Sequence, residues 1–346
     1  MRYSYLLSFV LAGCLTGTYT PPPGQTGGGD DGGAPSGSAD LAGAPSANPD
    51  LAGVQGTGVS GTISTDATWS TLIMIGGDTT IAPGATVTVT AGTTISVASG
   101  ANLIVGGKLL VQGTSAMPVK FVPETAMGSW GGLSVKSGGS LDVAYATVDY
   151  AVTPLSTLAG ATLVKLDHTN LTHYTGVGAQ IGSAATFTYV RVEFGGSDGI
   201  TVNAGAADTV TITDSIFHAT GGDATVVNAG NLTFNHNAVY GDTAGGGLGL
   251  HCACHYSSTG TFLVDHNDFY DAVYGFMASD MGATSKVNSN NFYQNGNGWG
   301  TSDGNPVNTG VDLTNNYWGG GAPPLIQGNS RTTPYSTTKI AGTGPR

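Results

Sequence analysis

The residues with the clearest chemical potential form the segment His251-Cys252-Ala253-Cys254-His255. Two thiols and two imidazoles match the ligands of a four-coordinate zinc or Cu(I) site. On an extended strand, however, residues 252 and 254 point away from residues 251, 253 and 255. A metal site therefore requires the segment to curl. The alternatives are a Cys252–Cys254 disulfide in a tight turn and free thiols without a role. No cofactor is expected elsewhere.

A second group with chemical potential consists of Arg191, Glu193 and Asp198. Arg191 and Glu193 flank one residue of an alternating strand and therefore share a face, and Asp198 follows shortly. Such a cluster could perform acid–base chemistry, but a surface ion pair is the plainer interpretation. Lys165 is the only other Lys or Arg between positions 137 and 285, so few permanent cations are available to such a cluster. We therefore predict no catalytic residues.

Aromatic residues recur with a period in the second half of the chain. Each closes a four-residue phrase, as in Asn267-Asp268-Phe269-Tyr270, and the phrases start 23, 30, 23 and 25 residues apart. The final residues of the five phrases are Phe217, Tyr240, Tyr270, Tyr293 and Trp318. If this column faces outward, it predicts a platform on which sugar rings stack; if it faces inward, it is an aromatic core. Asn or Asp at the first position is expected to stack at a bend and bond the backbone.

The elements that must position these residues are short strands. The chain has 346 residues, of which 57 are Gly and only 9% are charged, and Thr, Ser and Asn supply most of its polar side chains. Runs such as Thr86-Val87-Thr88-Val89-Thr90 are too short and too closely spaced for helices. A period of about 24 residues suits a solenoid with three short strands per turn. The 30-residue interval, which contains Gly245-Gly246-Gly247 and the cysteine pair, predicts a loop inserted into one turn.

The stretch from Pro83 to Ala151 resembles right-handed parallel β-helix proteins of the pectin-lyase-like superfamily. Its cues include Pro83-Gly84-Ala85-Thr86-Val87 and Gly128-Ser129-Trp130-Gly131-Gly132-Leu133, and Asn315-Asn316-Tyr317-Trp318-Gly319 is similar to the closing turns of the same group. This resemblance implies an all-β, single-stranded right-handed parallel β-helix. At about 24 residues per turn, residues 58–346 would form about 12 turns. The fold hosts lyases, hydrolases, adhesins and structural proteins, so it does not decide function.

The N-terminus resembles a lipoprotein export signal. Arg2 precedes a short apolar run, and Leu11-Ala12-Gly13-Cys14 is similar to the bacterial lipobox, in which the cysteine is acylated. We expect residues 1–13 to be a signal peptide and Cys14 to carry the lipid. Residues 14–57, which are rich in Gly, Pro, Ser and Asp, are predicted to be a disordered tether. Because Leu15 follows the cysteine, the resemblance implies attachment to the bacterial outer membrane, facing the periplasm or the cell surface.

The charge of the chain limits its partners. Its formal net charge is −12, and its basic residues are scattered, so nucleic acid is excluded as a partner. Acidic polysaccharides would also be repelled overall. We predict a non-catalytic scaffold or adhesin-like module at the cell envelope, with polysaccharide or other envelope proteins as candidate partners. The alternative is a carbohydrate-active lyase or glycoside hydrolase, which the resemblance allows.

Overall fold

The computed structural model describes residues 56–126, 128–241, 248–253, 260–272, 274–279, 284–300, 312–323 and 331–346. Cys14, the predicted signal peptide and nearly all of the predicted tether lie outside this described part. All described residues belong to one compact unit, Ala44–Arg346. Their regular structure is entirely β, and none of them lies in a helix long and apolar enough to cross a membrane.

The described residues form 29 strands. They are β1 (Thr57–Ile63), β2 (Ala67–Trp69), β3 (Leu72–Ile81), β4 (Thr86–Thr90), β5 (Thr94–Val97), β6 (Asn102–Val105), β7 (Lys108–Gln112), β8 (Val119–Pro123), β9 (Gly132–Val135), β10 (Ser140–Asp149), β11 (Leu155–Thr157), β12 (Leu163–Thr172), β13 (Ala179–Ile181), β14 (Ala185–Thr188) and β15 (Arg191–Glu193). The remainder are β16 (Ile200–Asn203), β17 (Thr209–Thr213), β18 (Ile216–His218), β19 (Thr225–Ala229), β20 (Asn231–Asn235), β21 (Ala238–Tyr240), β22 (Leu248–Ala253), β23 (Phe262–Asp265), β24 (Asp268–Tyr270), β25 (Tyr274–Ser279), β26 (Lys286–Asn288), β27 (Asn291–Tyr293), β28 (Asn297–Gly300) and β29 (Tyr317–Trp318).

Each strand pairs in parallel with the strand one turn later, so the strands stack in three columns along a common axis. In the first column, for example, β14 pairs with β17 and β17 with β20. In the second, β15 pairs with β18 and β18 with β21. In the third, β13 pairs with β16 and β16 with β19. The architecture is the predicted parallel β-solenoid.

The core fills the interior of the solenoid with one residue of every two along each strand. Val87 and Val89 of β4 are fully buried, while the intervening Thr88 is only half-buried. Because the pairings keep these positions in register, side chains of one type stack over several turns. Phe269 stacks on Phe292 at 5.0 Å, and Phe292 on Trp318 at 4.7 Å. Burial of these apolar columns is the main favourable contribution to folding.

Sharp corners bound each short strand of the second column. The long strands β10 and β12 run through the first and second columns and bend between them at Tyr145 and His168. In the later turns a corner precedes the short strand, at Tyr189, Asp214, His236, His266, Ser289 and Asn315, and all eight residues have φ between 46° and 62°. A second corner of the same kind follows the strand at Tyr150, His173, Phe194, Ala219, Asp271 and Gln294. Left-handed backbone costs a non-glycine residue about 1–2 kcal/mol. The contacts of these side chains must therefore offset a repeated local strain.

An asparagine ladder lies inside the first corner. Asn237, Asn267, Asn290 and Asn316 are fully buried. The Oδ1 of Asn267 accepts hydrogen bonds from the backbone N–H and the Nδ2 of Asn237, at 2.8 and 3.1 Å. Asn290 bonds Asn267 in the same way, and Asn316 bonds Asn290. The expectation that asparagines stack at a bend and bond the backbone matches this geometry.

The register at both ends of the repeated phrase differs from the sequence alignment by one residue. The backbone N–H of Ser215, not that of Asp214, donates to the Oδ1 of Asn237, and the backbone N–H of Asn290 donates to the Oδ1 of Asn316, not to Asn315. Asp214 and Asn315 are instead the corner residues themselves. Asn and Asp favour both left-handed corners and buried bonds to the backbone, so residue type alone does not distinguish the two positions.

The solenoid makes about nine turns, fewer than the predicted 12. That prediction assigned every residue after 57 to a turn. Part of this difference comes from the C-terminal residues 337–346, less than half of a turn in length, which run back along the outside of the stack. Ile340 bonds Asn291, Gly344 bonds His266, and Arg346 bonds Asp214. We refer to residues 334–346 as the C-terminal strap.

Candidate functional site

Seven rings form a continuous stack on the outside of the solenoid, which we call the outer ladder. Its members are Tyr150, His173, Phe194, His218, Tyr240, Tyr270 and Tyr293, one from each of seven successive turns. Successive ring centroids lie 4.7, 5.5, 5.3, 4.6, 4.9 and 5.0 Å apart. The first three rings project from left-handed corners and the others from the ends of strands. The parallel register aligns the last four rings with one another, whereas His218 pairs with Glu193, one residue before Phe194.

The three tyrosines at one end of the outer ladder stack closely on one another. Tyr240, Tyr270 and Tyr293 lie nearly parallel, with interplanar angles of 5° and 11°, so each covers a face of its neighbour. Burial, with smaller contributions from nearby tyrosines and Asp268, raises the pKa of Tyr270 to about 12. Burial and the nearby Asp268 and Asp271 raise that of Tyr293 to about 12 as well. Both phenols therefore keep their hydrogen-bond donors at neutral pH.

A second line of rings projects from the first corner and forms the corner ladder. His168 lies between Tyr145 and Tyr189, with ring centroids 4.4 and 4.5 Å away. Further along the axis, His236 stacks on His266 at 5.1 Å. Two lines of aromatic and imidazole rings thus run parallel to the axis, one on each side of the short strands.

The surface between the two ladders consists of the outward residues of the short strands; we call it the strip. We call the part nearer to the N-terminal turns the lower half and the part nearer to the C-terminal turns the upper half. The lower half is formed by Thr147, Asn170, Arg191 and Ile216, and the upper half by Ala238, Asp268 and Asn291. Strap residues bond Asp268 and Asn291 in the upper half, and the strap ends at Asp214. Asn291 is fully buried, whereas Arg191 in the lower half is exposed.

The turn at β15 combines two exposed aromatic residues with an ion pair. Arg191 donates two hydrogen bonds to Glu193, at 3.1 Å from Nε and 2.7 Å from Nη2. These bonds raise the pKa of Arg191. Tyr189 is 38% exposed and Phe194 48% exposed, one at each end of the strand. The predicted face shared by Arg191 and Glu193 is therefore present, as an ion pair between two exposed aromatic residues.

Histidines and carboxylates pair along both ladders. His173 bonds the Asp149 carboxylate at 2.8 Å, and His218 lies 3.7 Å from Glu193. In the corner ladder, Asp167 bonds His168. These pairs fix the rings in orientation. They also give the lower half of the strip donors and acceptors on both sides.

Asp198 serves a different part of the molecule. It lies beyond the Gly195-Gly196 turn, and its carboxylate accepts a hydrogen bond from the backbone N–H of Asp223 at 2.9 Å, one turn further along. Its backbone carbonyl accepts a bond from Gly178. This geometry ties successive turns together at the start of the third column.

The five residues predicted as a carbohydrate platform divide into two sets. Tyr240, Tyr270 and Tyr293 belong to the outer ladder, whereas Phe217 is fully buried and Trp318 is 7% exposed in the core. Placing Phe217 and Trp318 in the outward column was wrong because the phrases shift by one residue at both ends: Phe217 pairs with Val239, and Trp318 with Phe292.

Several ladder residues were missed by the sequence reasoning, although a signal for them exists. Tyr150, His173 and Phe194 recur after 23 and 21 residues, and so do Tyr145, His168 and Tyr189. The repeated phrase was recognised only from residue 214 onward, where its asparagines begin. Aromatic residues and histidines at the same spacing would have extended it by three turns.

The predicted metal or disulfide segment lies largely outside the described residues. The backbone of His251 and Cys252 forms part of β22, where His251 pairs with Met277. Their side chains, and all of Cys254 and His255, fall outside the described part of the chain. Among the described residues, no group of three or more His, Cys, Asp or Glu could hold a metal ion. Zinc or copper binding and the disulfide both remain predictions.

Comparison with known proteins agrees with this geometry. A family model described as a right handed beta helix region matches residues 164–333. The fold is a right-handed parallel β-helix. No curated protein and no solved structure matches the chain. The β-helix fits the pectin-lyase-like fold, which carries unrelated activities, so the fold does not decide the function of this chain.

Proposed function

We propose that the protein is a non-catalytic, envelope-anchored β-helix that binds neutral polysaccharide along the lower half of the strip. The observation that carries this proposal is the β15 turn, where two exposed aromatic residues flank a bidentate Arg–Glu pair. Exposed aromatic rings offer apolar contact to the C–H faces of sugars, and the ion pair offers directional donors and acceptors for hydroxyl groups.

Charge favours a neutral glycan over an acidic one. The chain carries a formal net charge of −12, and carboxylates flank the lower half of the strip at Asp149, Asp167 and Glu193. Arg191 is the only cation among its four floor residues, and it is already paired with Glu193. A polyuronate would therefore meet unfavourable potential along most of its length.

The test is binding of soluble oligosaccharides to the intact protein. Xylo-, cello- and laminari-hexaose serve as neutral probes, and hexagalacturonate as the acidic one, in calorimetry or affinity electrophoresis. We expect at least one neutral probe to bind and the acidic one not to bind. Phe194→Ala should weaken that binding about 3- to 10-fold, because it removes one aromatic contact. Arg191→Ala should weaken it as well.

Leu263→Ala is the matched control. Leu263 is 42% exposed, similar to Phe194, but lies on β23 in the first column of strands. This variant should bind like the unaltered protein. The proposal is refuted if none of the neutral hexasaccharides binds, or if Phe194→Ala binds as well as Leu263→Ala does. Thermal denaturation of each variant checks that the fold is intact.

One observation favours a glycoside hydrolase as a second candidate. Asp149 and Glu193 occupy the same outward register two turns apart, through Thr172. Two strand spacings correspond to roughly 10 Å, near the upper end of the carboxylate separation in inverting glycosidases, about 6.5–9.5 Å. Both carboxylates, however, already bond partners, Asp149 with His173 and Glu193 with Arg191.

Release of reducing sugar from the same neutral probes distinguishes the two candidates. A hydrolase should release reducing ends, and Glu193→Gln and Asp149→Asn should each abolish the release. A non-catalytic binder should leave the probes intact. We expect intact probes.

A further inference from the structure

The C-terminal strap occupies the same strip as the proposed glycan site. It enters beside the last turn, where the backbone N–H of Ser336 bonds Asn316 at 2.9 Å. It then passes Asn291 and Asp268 and ends at Asp214. Asn291 and Asp268 belong to the upper half of the strip, and Asp214 is the corner residue before β18. The strap therefore lies between the two ladders. Arg346 thus reaches the turn of Ile216, which is the lower-half residue nearest to the strap.

The contacts of the strap resemble those of an extended ligand. The Asn291 side chain accepts a bond from the N–H of Ile340 at 2.8 Å and donates one to its carbonyl at 3.0 Å. Thr343 donates to the Asp268 carboxylate at 2.8 Å. The Lys339 ammonium lies 4.1 Å from the centre of the Tyr293 ring, at the end of the outer ladder. The strap thus uses both the floor of the strip and one ladder.

Only the cationic half of the ion pair at the strap end is exposed to solvent. Arg346 bonds Asp214 through Nε at 3.1 Å; the Arg346 side chain is 64% exposed, whereas the Asp214 side chain is 6% exposed. A ligand that displaces the strap must replace the hydrogen bonds of this buried carboxylate, which sugar hydroxyl groups can donate, whereas the cation–π contact of the exposed Lys339 is weak. A ligand that already holds the lower half can therefore compete with the strap for the upper half.

We propose that the strap is a displaceable occupant of a longer glycan site, and that long neutral chains displace it to reach the upper half of the strip. The upper subsite then consists of the Asp268 and Asn291 side chains and the hydroxyl edges of Tyr240, Tyr270 and Tyr293. This inference rests on the proposed function, since it assigns the regulation of the same site. Short chains occupy the lower half and leave the strap in place.

The experiment compares a strap-release variant with a charge-matched control. Lys339→Ala combined with Arg346→Ala removes both charged side-chain attachments of the strap and leaves the Thr343 hydrogen bond to Asp268 in place. Lys108→Ala combined with Lys165→Ala removes the same charge from outward positions of the first column of strands. Calorimetry measures the affinity of each form for the trisaccharide and hexasaccharide of the xylo-, cello- and laminari- series.

We expect the strap-release variant to bind a hexasaccharide about tenfold more tightly, because the binding-competent fraction rises. Its trisaccharide affinity and both affinities of the control should stay unchanged. In the unaltered protein, the hexasaccharide should accelerate hydrogen exchange at the Ile340 and Gly344 amides. Equal hexasaccharide affinities, or slower exchange at those amides, would overturn the strap proposal while binding itself stands. No binding of any probe to either form would overturn the proposed function together with it.

Discussion

Asn267 shows how a single buried side chain supports two turns at once. Its amide bonds the backbone and side chain of Asn237, the side chain of Asn290 and the carbonyls of Phe234 and Asp265. Inside the protein an unpaired polar group is costly, because it has lost its water without gaining a partner. The asparagine ladder therefore stabilises the fold only while each of its side chains has a hydrogen-bond partner.

Asn267→Ala should lower the melting temperature clearly. The substitution leaves the N–H of Asn237 buried without an acceptor, and each such group costs about 1–3 kcal/mol. For a domain of this size we expect a decrease of roughly 5–10 °C in thermal denaturation followed by circular dichroism.

Asn228→Ala provides the comparison for this prediction. Asn228 bonds Asn203 one turn away at 3.1 Å, but both side chains are exposed, so water can replace the bond. Its melting temperature should change little. Equal decreases for the two variants would show that burial of the ladder is not what makes it stabilising.

Element-scale features were predictable where they repeat and unpredictable where they do not. The short strands, the period and the asparagine bend follow from alternation and spacing, as in Thr86–Thr90 and in the phrase ending at Tyr270. The strap does not, because its hydrogen bond from Arg346 to Asp214 joins residues 132 positions apart without any periodic signal. The strip could not be predicted for the same reason. Its residues can be assigned only when the position of each one relative to the corners is known, and residue type does not give that position.

The strap should loosen as the pH falls. Burial, reinforced by the neighbouring charge of Arg346 and by His266, lowers the pKa of His236, while Asp214 and Asp265 oppose this. The ring Nδ1 is buried without a hydrogen-bond partner among the described residues. Detaching the strap removes the Arg346 charge from the surroundings of His236, so the strapped form disfavours the proton on His236 more than the detached form does. The stability of the strapped form is therefore complete above the ordinary histidine pKa of about 6.5 and declines below it.

Hydrogen exchange of the Gly344 amide, corrected for intrinsic rates, measures this effect between pH 7.5 and 5.5. We expect its protection to decrease with falling pH, and His236→Asn to flatten that decrease. His168→Asn is the control, because His168 occupies an equivalent left-handed corner three turns earlier, away from the strap. Protection that is independent of pH, or an equal response to both substitutions, would contradict the role of His236.

At the scale of the whole molecule, the predicted lipid on Cys14 would display the β-helix from a membrane. The unaltered chain, produced in a Gram-negative host with radiolabelled palmitate, should incorporate label and sediment with membranes. Cys14→Ser should lose both properties, because stable anchoring requires the acyl chains. Cys252→Ser should retain them. Label on the Cys14→Ser protein, or none on the unaltered one, would refute the anchor.

Solenoids ordinarily unfold in pieces, since each repeat contacts only its nearest neighbours. The strap alters that behaviour at one end of this β-helix, because a single segment joins Asn316, Asn291, Asp268 and Asp214. The terminal turns can fray only after the strap detaches, which makes their opening cooperative. The strap also has a fixed length. If one more turn were inserted between residues 214 and 316, Arg346 could no longer reach the carboxylate of Asp214.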